Sequence, residues 1–181
     1  TPGVEGIGII SELGADAPED LKIGMRVGWV MASGGYAEFA AIPAASLIPI
    51  PDDIADEDAI TLLLQGMTAH YLTRDSYSIK AGDIALVHSG AGGVGLLLTQ
   101  NIKSLGGRVI TTASTAAKQD LARSAGADLA IGYEDFARHV TEFTNGKGVN
   151  VIYDGVGKST FEGGLQAIGR RGTFAIFGAA S

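Results

Sequence analysis

Six consecutive residues carry the strongest chemical signal in the chain: Gly90-Ala91-Gly92-Gly93-Val94-Gly95. The apolar run Ile84-Ala85-Leu86-Val87 stands just before them, and a helical pattern over residues 92–105 follows. A lone GxGxxG is weak evidence, but between a strand and a helix each glycine has a task. The first makes a tight turn, the second lets backbone approach a pyrophosphate, and the third lets helix and strand pack closely. The free N–H groups of the helix start then attract negative charge. Gly90, Gly92, Gly93, Val94 and Gly95 are thus candidate contacts to a dinucleotide. A tight turn with no ligand is the competing reading, and the βαβ pattern around the loop weighs against it.

Charge distribution sharpens the choice of dinucleotide. Residues 84–119 contain no Asp or Glu but include Lys103, Arg108 and Lys118. Such a stretch fits a surface that meets phosphates; burial of the strand and helix would also produce it. An NAD site usually places an acid at the end of the second strand, about 20 residues past the first glycine. Here that position reads Ile110-Thr111-Thr112-Ala113-Ser114-Thr115, with Lys118 on the first turns of the next helix. Hydroxyls and a lysine suit a 2′-phosphate, so NADPH is expected over NADH.

The elements that must hold this loop follow from periodicity. Strands are predicted at 84–88, 108–112, 127–133, 149–153 and 173–177, with helices at 92–105, 115–124, 135–143 and 159–168. Strict alternation of this kind means βαβ units and a parallel sheet. Residues 6–13, 25–31 and 35–42 read instead as short strands of a small β-rich module, followed by a connector broken at Pro43, Pro49 and Pro51. One or two helices are expected between 52 and 77, with Asp52 and Asp53 as caps and a domain boundary near Gln65.

Composition limits the rest. The 181 residues carry a formal charge of -7, which disfavours binding to nucleic acid. There is no cysteine, which removes disulfides and thiolate zinc sites, and His70, His88 and His139 are scattered, so no metal site is expected. His70 and His88 read as packed or edge residues, Tyr36 as module packing or a substrate contact, and the acidic run at 52–58 as a solvated helix start. No apolar run reaches membrane-spanning length and no signal peptide is visible, so a cytoplasmic protein is expected. Both ends look cut, which leads us to expect a fragment.

Taken together, Leu64-Gln65-Gly66-Met67-Thr68-Ala69, Ala91-Gly92-Gly93-Val94-Gly95, Tyr153-Asp154-Gly155-Val156-Gly157, Arg170-Arg171-Gly172 and Phe177-Gly178 resemble the quinone oxidoreductase (zeta-crystallin-like) branch of the zinc-free medium-chain dehydrogenase/reductase superfamily. The resemblance implies an α/β fold: part of a GroES-like, β-rich substrate domain over residues 1–64, then a Rossmann-type doubly wound parallel sheet over 65–181, incomplete at its C-terminus. It implies a nicotinamide contact at Thr68 and pyrophosphate contacts at Gly92, Gly93 and Val94. Ser114, Lys118 and Tyr133 would form the 2′-phosphate and ribose group, and Gly155, Val156, Phe177 and Gly178 a wall along the cofactor. Relatives often carry an arginine after the tyrosine, where this chain has Glu134. The implied reaction is NADPH-dependent hydride transfer to a quinone or activated enone. Alternatives are an enoyl-thioester reductase of the same superfamily and a non-catalytic NADPH-binding sensor. Some zeta-crystallin-type relatives bind RNA, against which the acidic charge speaks, and many dimerise through the last sheet edge, so a homodimer is expected. No catalytic residue is assigned, and the acceptor is not named by the sequence.

Overall fold

A computed structural model describes all residues 1–181, which form two compact units, Thr1–Met67 and Thr68–Ser181.

In the first unit, β1 (Glu5–Ile9), β2 (Arg26–Val30) and β3 (Leu47–Pro49) make an antiparallel sheet in the order β1-β2-β3. Trp29 is buried over Gly6, where an added Cβ would sit 2.3 Å from the indole. Ile10, Leu21 and Val27 form a small core with Met25, Ala44 and Leu47 packed against it. Arg26 fastens the far side: its guanidinium donates to Asp56 Oδ1 and to the carbonyls of Pro51 and Ile54. Two expectations change here. Residues 35–42 form no strand; Gly34 and Gly35 donate to the Gly3 carbonyl and Tyr36 to that of Pro2, and Tyr36 and Phe39 stand exposed. Without a partner strand or a buried face, alternation alone does not make a strand. The third strand lies instead at Leu47–Pro49, inside the expected connector. Pro49 is tolerated there because β3 is an edge. The first helix, α1 (Asp56–Thr61), has Ala55 as its N-cap with no side-chain cap bond, so Asp52 and Asp53 do not cap it; Asp56, Glu57 and Asp58 fill its first turn. A π-helical turn, Leu62–Gly66, follows.

The second unit opens within α2 (Met67–Tyr71) and a second π-helical turn, Leu72–Ser76. Then come β4 (Ile84–Val87), α3 (Gly93–Ser104), β5 (Arg108–Thr112), α4 (Ala116–Ser124), β6 (Leu129–Ile131), α5 (Phe136–Phe143), β7 (Val149–Asp154), α6 (Lys158–Ala167) and β8 (Ile168–Ile176). The five strands are parallel in the order β6-β5-β4-β7-β8. That is the Rossmann-type order, which reverses direction between β4 and β7 and opens a crevice beyond their C-terminal ends. One face of the sheet buries Ala85, Val87, Val109, Val151 and Tyr153 against Leu98 and Ile102 of α3. The other buries Leu86, Ile110 and Ile152 against Phe136 and Val140 of α5. Tyr153 is fully buried and donates to the carbonyl of Leu72 at 3.1 Å. β8 is an edge strand whose register with β7 shifts between Val149 and Val151. Within it Arg171 adopts φ 64°. No helix is long and apolar enough to cross a membrane.

Candidate functional site

The loop from His88 to Gly93 turns from β4 into α3 at the crevice. Its glycines are required by contact. A Cβ on Gly90 would lie 2.4 Å from Cβ of Thr111 on the neighbouring strand, and one on Gly95 would lie 2.3 Å from the Ser89 carbonyl oxygen. On Gly92 it would meet Ser89 O at 3.2 Å. Ser89 itself is held at φ 55°, a left-handed conformation uncommon for a residue with a side chain. Gly92 is the N-cap of α3 and uses no side chain to close the helix. The N–H groups of Gly93, Val94 and Gly95 therefore lack a carbonyl within the helix, as at any uncapped helix start, and are open to an anion.

Beside this helix start lies a concavity of about 110 Å³ lined by Ser89, Ala91, Gly92, Ala113, Ser114, Lys118 and Tyr133. Three elements bring it together. The end of β5 supplies Ala113 and Ser114. The first turn of α4 supplies Lys118, whose backbone N–H donates to Oγ1 of the N-cap Thr115 at 3.3 Å. The segment after β6 supplies Tyr133, whose phenol oxygen accepts from the Ser89 N–H at 3.2 Å and keeps its own proton for a further acceptor. Lys118 is exposed and makes no ion pair, whereas the other two cations of the acid-free stretch are engaged elsewhere. Lys103 pairs with Asp128 at 2.9 Å, and the Arg108 guanidinium lies 4.3 Å from the centre of the Phe143 ring. The expectation of a phosphate-facing surface over the whole stretch is therefore narrowed: of its three cations only Lys118 lines the concavity, and much of the rest is acid-free because it is buried sheet and helix.

A second group gathers at the end of β7. The Asp154 carboxylate is fully buried; Oδ1 accepts the N–H groups of Val156 (2.7 Å) and Gly157 (3.0 Å), and Oδ2 accepts the Thr160 hydroxyl (2.7 Å). These bonds fold the Gly155-Val156-Gly157 turn. The Phe177 ring closes on it, 3.0 Å from where a Gly155 Cβ would stand, and Gly178 approaches the Gly155 carbonyl, 2.9 Å from its own added Cβ. Thr68 lies half-buried in α2. Of the sequence-chosen residues, the structure brings Gly92, Ser114, Lys118 and Tyr133 around one concavity, and Gly155, Phe177 and Gly178 into another cluster. Val156 shares the Asp154 turn.

Two buried polar residues at this end of the sheet escaped sequence reasoning as site elements. Asp154 sat inside a quoted motif, and its Asp-Gly-x-Gly pattern is the signal of a side chain closing a turn. His88, read as an edge residue, is only 1% exposed. Its Nδ1 is 2.9 Å from Thr112 Oγ1, its ring stacks near-parallel to Tyr133 with centroids 6.3 Å apart, and it meets the edge of Phe136 at 4.9 Å. Its Nε2 is buried with no hydrogen-bond partner, as is Oγ1 of Thr111. Burial pushes the imidazole down to about 4, opposed in part by the negative charge of Asp154. The unfolded chain takes up this proton near pH 6.5 and the folded one does not, so folding free energy is lost as pH falls from about 6.5 toward 4. The expected loss is on the order of 3 kcal/mol. It is read as the difference between wild type and His88→Asn in denaturant unfolding near pH 7 and near pH 4; equal pH slopes for both proteins would contradict it.

Comparison with known proteins gives the following. Residues 1–52 match the alcohol dehydrogenase GroES-like domain, and residues 93–181 match the zinc-binding dehydrogenase family. The latter name carries a metal, yet this chain has no cysteine and no group of three His, Asp or Glu placed to hold one. A probable quinone oxidoreductase of Schizosaccharomyces pombe is 41% identical over 180 residues, covering 99% of this chain and 55% of that protein. The structure of Escherichia coli quinone oxidoreductase complexed with NADPH superposes with TM-score 0.94 at 39% identity, over 99% of this chain and 56% of that one. A mycobacterial protein complexed with NADPH superposes with TM-score 0.92 at 46% identity, over 99% and 57%. The chain thus spans about 55% of the length of such relatives.

Proposed function

We propose that the chain, which matches the GroES-like and zinc-binding dehydrogenase family models and is similar to quinone oxidoreductases, belongs to the quinone oxidoreductase branch of the medium-chain dehydrogenase/reductase superfamily and binds NADPH for hydride transfer to a quinone or activated enone. The observation that carries this reading is the concavity beside the start of α3, where Lys118 is free of any carboxylate and Ser114 and Tyr133 offer hydroxyls. The residues present fit the cofactor: the open N–H groups of Gly93, Val94 and Gly95 suit a pyrophosphate, and the glycine contacts leave no room for side chains where backbone must come close.

In this reading Lys118 Nζ, the Ser114 hydroxyl and the Tyr133 O–H hold the 2′-phosphate. Gly155, Val156, Phe177 and Gly178 form an apolar wall along the nicotinamide half, and Thr68 contacts the nicotinamide end. When bound, the reduced nicotinamide supplies the hydride; the chain's own part is to bind, orient and exclude water. The two units serve as the substrate-facing β-rich module and the cofactor domain. GroES-like homology over residues 1–52 supports the first assignment, and the strand order supports the second. The related quinone oxidoreductases support a small-molecule acceptor, and we extend the reading to a cytoplasmic enzyme that works as a homodimer.

Lys118→Ala is expected to weaken NADPH about tenfold, the lower end for a charged contact at an exposed site, and to leave NADH within about twofold. Calorimetric titration of both cofactors measures this, and equal losses would remove the phosphate role. Activity is tested by following NADPH oxidation against quinones, enones and enoyl thioesters. Turnover with enoyl thioesters alone would move the protein to the thioester reductases, and tight NADPH binding without turnover on any acceptor would favour a sensor.

A further inference from the structure

We propose that His88 is a positioning residue for the 2′-phosphate side of the cofactor site: through Thr112 and Tyr133 it holds in register the strand ends that build the concavity around Lys118. This rests on the reading of that concavity as a phosphate site. His88 follows β4 directly and sits where the ends of several strands converge. Its backbone N–H donates to the Tyr153 carbonyl on β7 at 3.0 Å. Its Nδ1 bonds the Thr112 hydroxyl at the end of β5, two residues before Ser114. Its ring lies along the face of Tyr133, the residue whose phenol oxygen accepts from Ser89, the next residue to His88 itself. A closed circuit results: His88 to Thr112 across β5, His88 to Tyr133 beyond β6, and Tyr133 back to Ser89. Ser89, Ala113, Ser114 and Tyr133, all lining the concavity, lie on or next to this circuit.

Packing alone does not explain a histidine here. The neighbours Phe136 and Tyr133 are aromatic, the residue is only 1% exposed, and Nε2 finds no partner among the protein's own groups. An apolar side chain of similar volume would fill the same space without burying an unmatched nitrogen. A locally unfavourable residue that bridges binding-site elements is the pattern expected where function, not stability, selects the side chain. Only the ring offers both a flat face for Tyr133 and a nitrogen for Thr112.

The test measures NADPH and NADH dissociation constants for wild type, His88→Leu, His88→Asn, Thr112→Val and Lys118→Ala. His88→Leu keeps bulk and loses the hydrogen bond and the flat face. It is expected to weaken NADPH about tenfold while NADH changes less than about twofold. His88→Asn restores a polar partner for Thr112 and is expected to recover part of that loss. Thr112→Val, nearly isosteric, removes the same bond from its other end and is expected to shift the NADPH to NADH ratio in the same direction; it decides the matter if His88→Leu does not fold. Equal weakening of both cofactors, or no change, in the folded variants overturns the proposal. If Lys118→Ala also fails to separate the cofactors, the phosphate reading itself falls; if Lys118→Ala separates them and the His88 and Thr112 variants do not, only the positioning role falls.

Discussion

Alanine at Gly95 is expected to cost about 3 kcal/mol of folding stability and to weaken NADPH by about 100-fold or more. The added methyl would lie 2.3 Å from the Ser89 carbonyl oxygen and 2.9 Å from Gly90 Cα. Both neighbours are backbone, so no side chain can rotate aside. Relief requires α3 to lift from the loop, and that displaces the N–H groups of Gly93 and Val94 that face the proposed pyrophosphate. Gly90 cannot retreat either, because it is already against Thr111. Gly14→Ala is the control, since an added Cβ there meets nothing within 4 Å and Gly14 needs no left-handed conformation. Urea unfolding and cofactor titration of both variants check the expectation. A Gly95→Ala protein as stable as Gly14→Ala, and still binding NADPH, would show that the loop and helix are not locked together.

The second large effect belongs to Asp154. Asp154→Ala removes three hydrogen bonds at once and leaves the Val156 and Gly157 N–H groups and the Thr160 hydroxyl to find partners in a partly buried turn. Unmatched buried groups cost roughly 1–3 kcal/mol each, so a loss of about 4 kcal/mol is expected. NADPH binding should weaken with it, because the turn supports Gly155 and Phe177. Asp154→Asn is expected to cost only about 1 kcal/mol. Its amide oxygen still accepts both backbone N–H groups. Its NH2 can donate to Thr160 Oγ1, whose own proton is free to go to the Gly157 carbonyl, already 3.0 Å away. Chemical denaturation of the pair separates hydrogen bonding from charge: losses of equal size would mean that the carboxylate's charge, not its bonds, holds the turn.

Much of the second unit was legible because its signals are local. An apolar run, a glycine loop and a helical period lie consecutively from Ile84 to Ser104, so the loop and α3 could be placed from sequence. Ser114 and Lys118 followed because β5 must end where its apolar run ends. What was hidden depends on contacts between distant residues. The strand expected at 35–42 failed because its first N–H groups, those of Gly35 and Tyr36, turn toward Gly3 and Pro2, while a three-residue edge beside β2 did the work among prolines. The neutralisation of Lys103 by Asp128 joins residues 25 apart. His88 gave no sign of its importance, since a histidine at a strand end signifies nothing until Thr112, Tyr133 and Phe136 are seen around it.

The border at β8 has a consequence for how the sheet can be extended. β8 borders the five strands described here, and its two halves differ in how well they can take a neighbouring strand. The first half is interrupted by the register shift, by Arg171 in a left-handed turn, and by the exposed charges of Arg170 and Arg171. The second half, Thr173-Phe174-Ala175-Ile176, runs regularly beside Val151 to Asp154 and ends in an isoleucine that is 55% exposed. A further strand, from this polypeptide or from another, has its place beside those four residues, and the arginines set its limit.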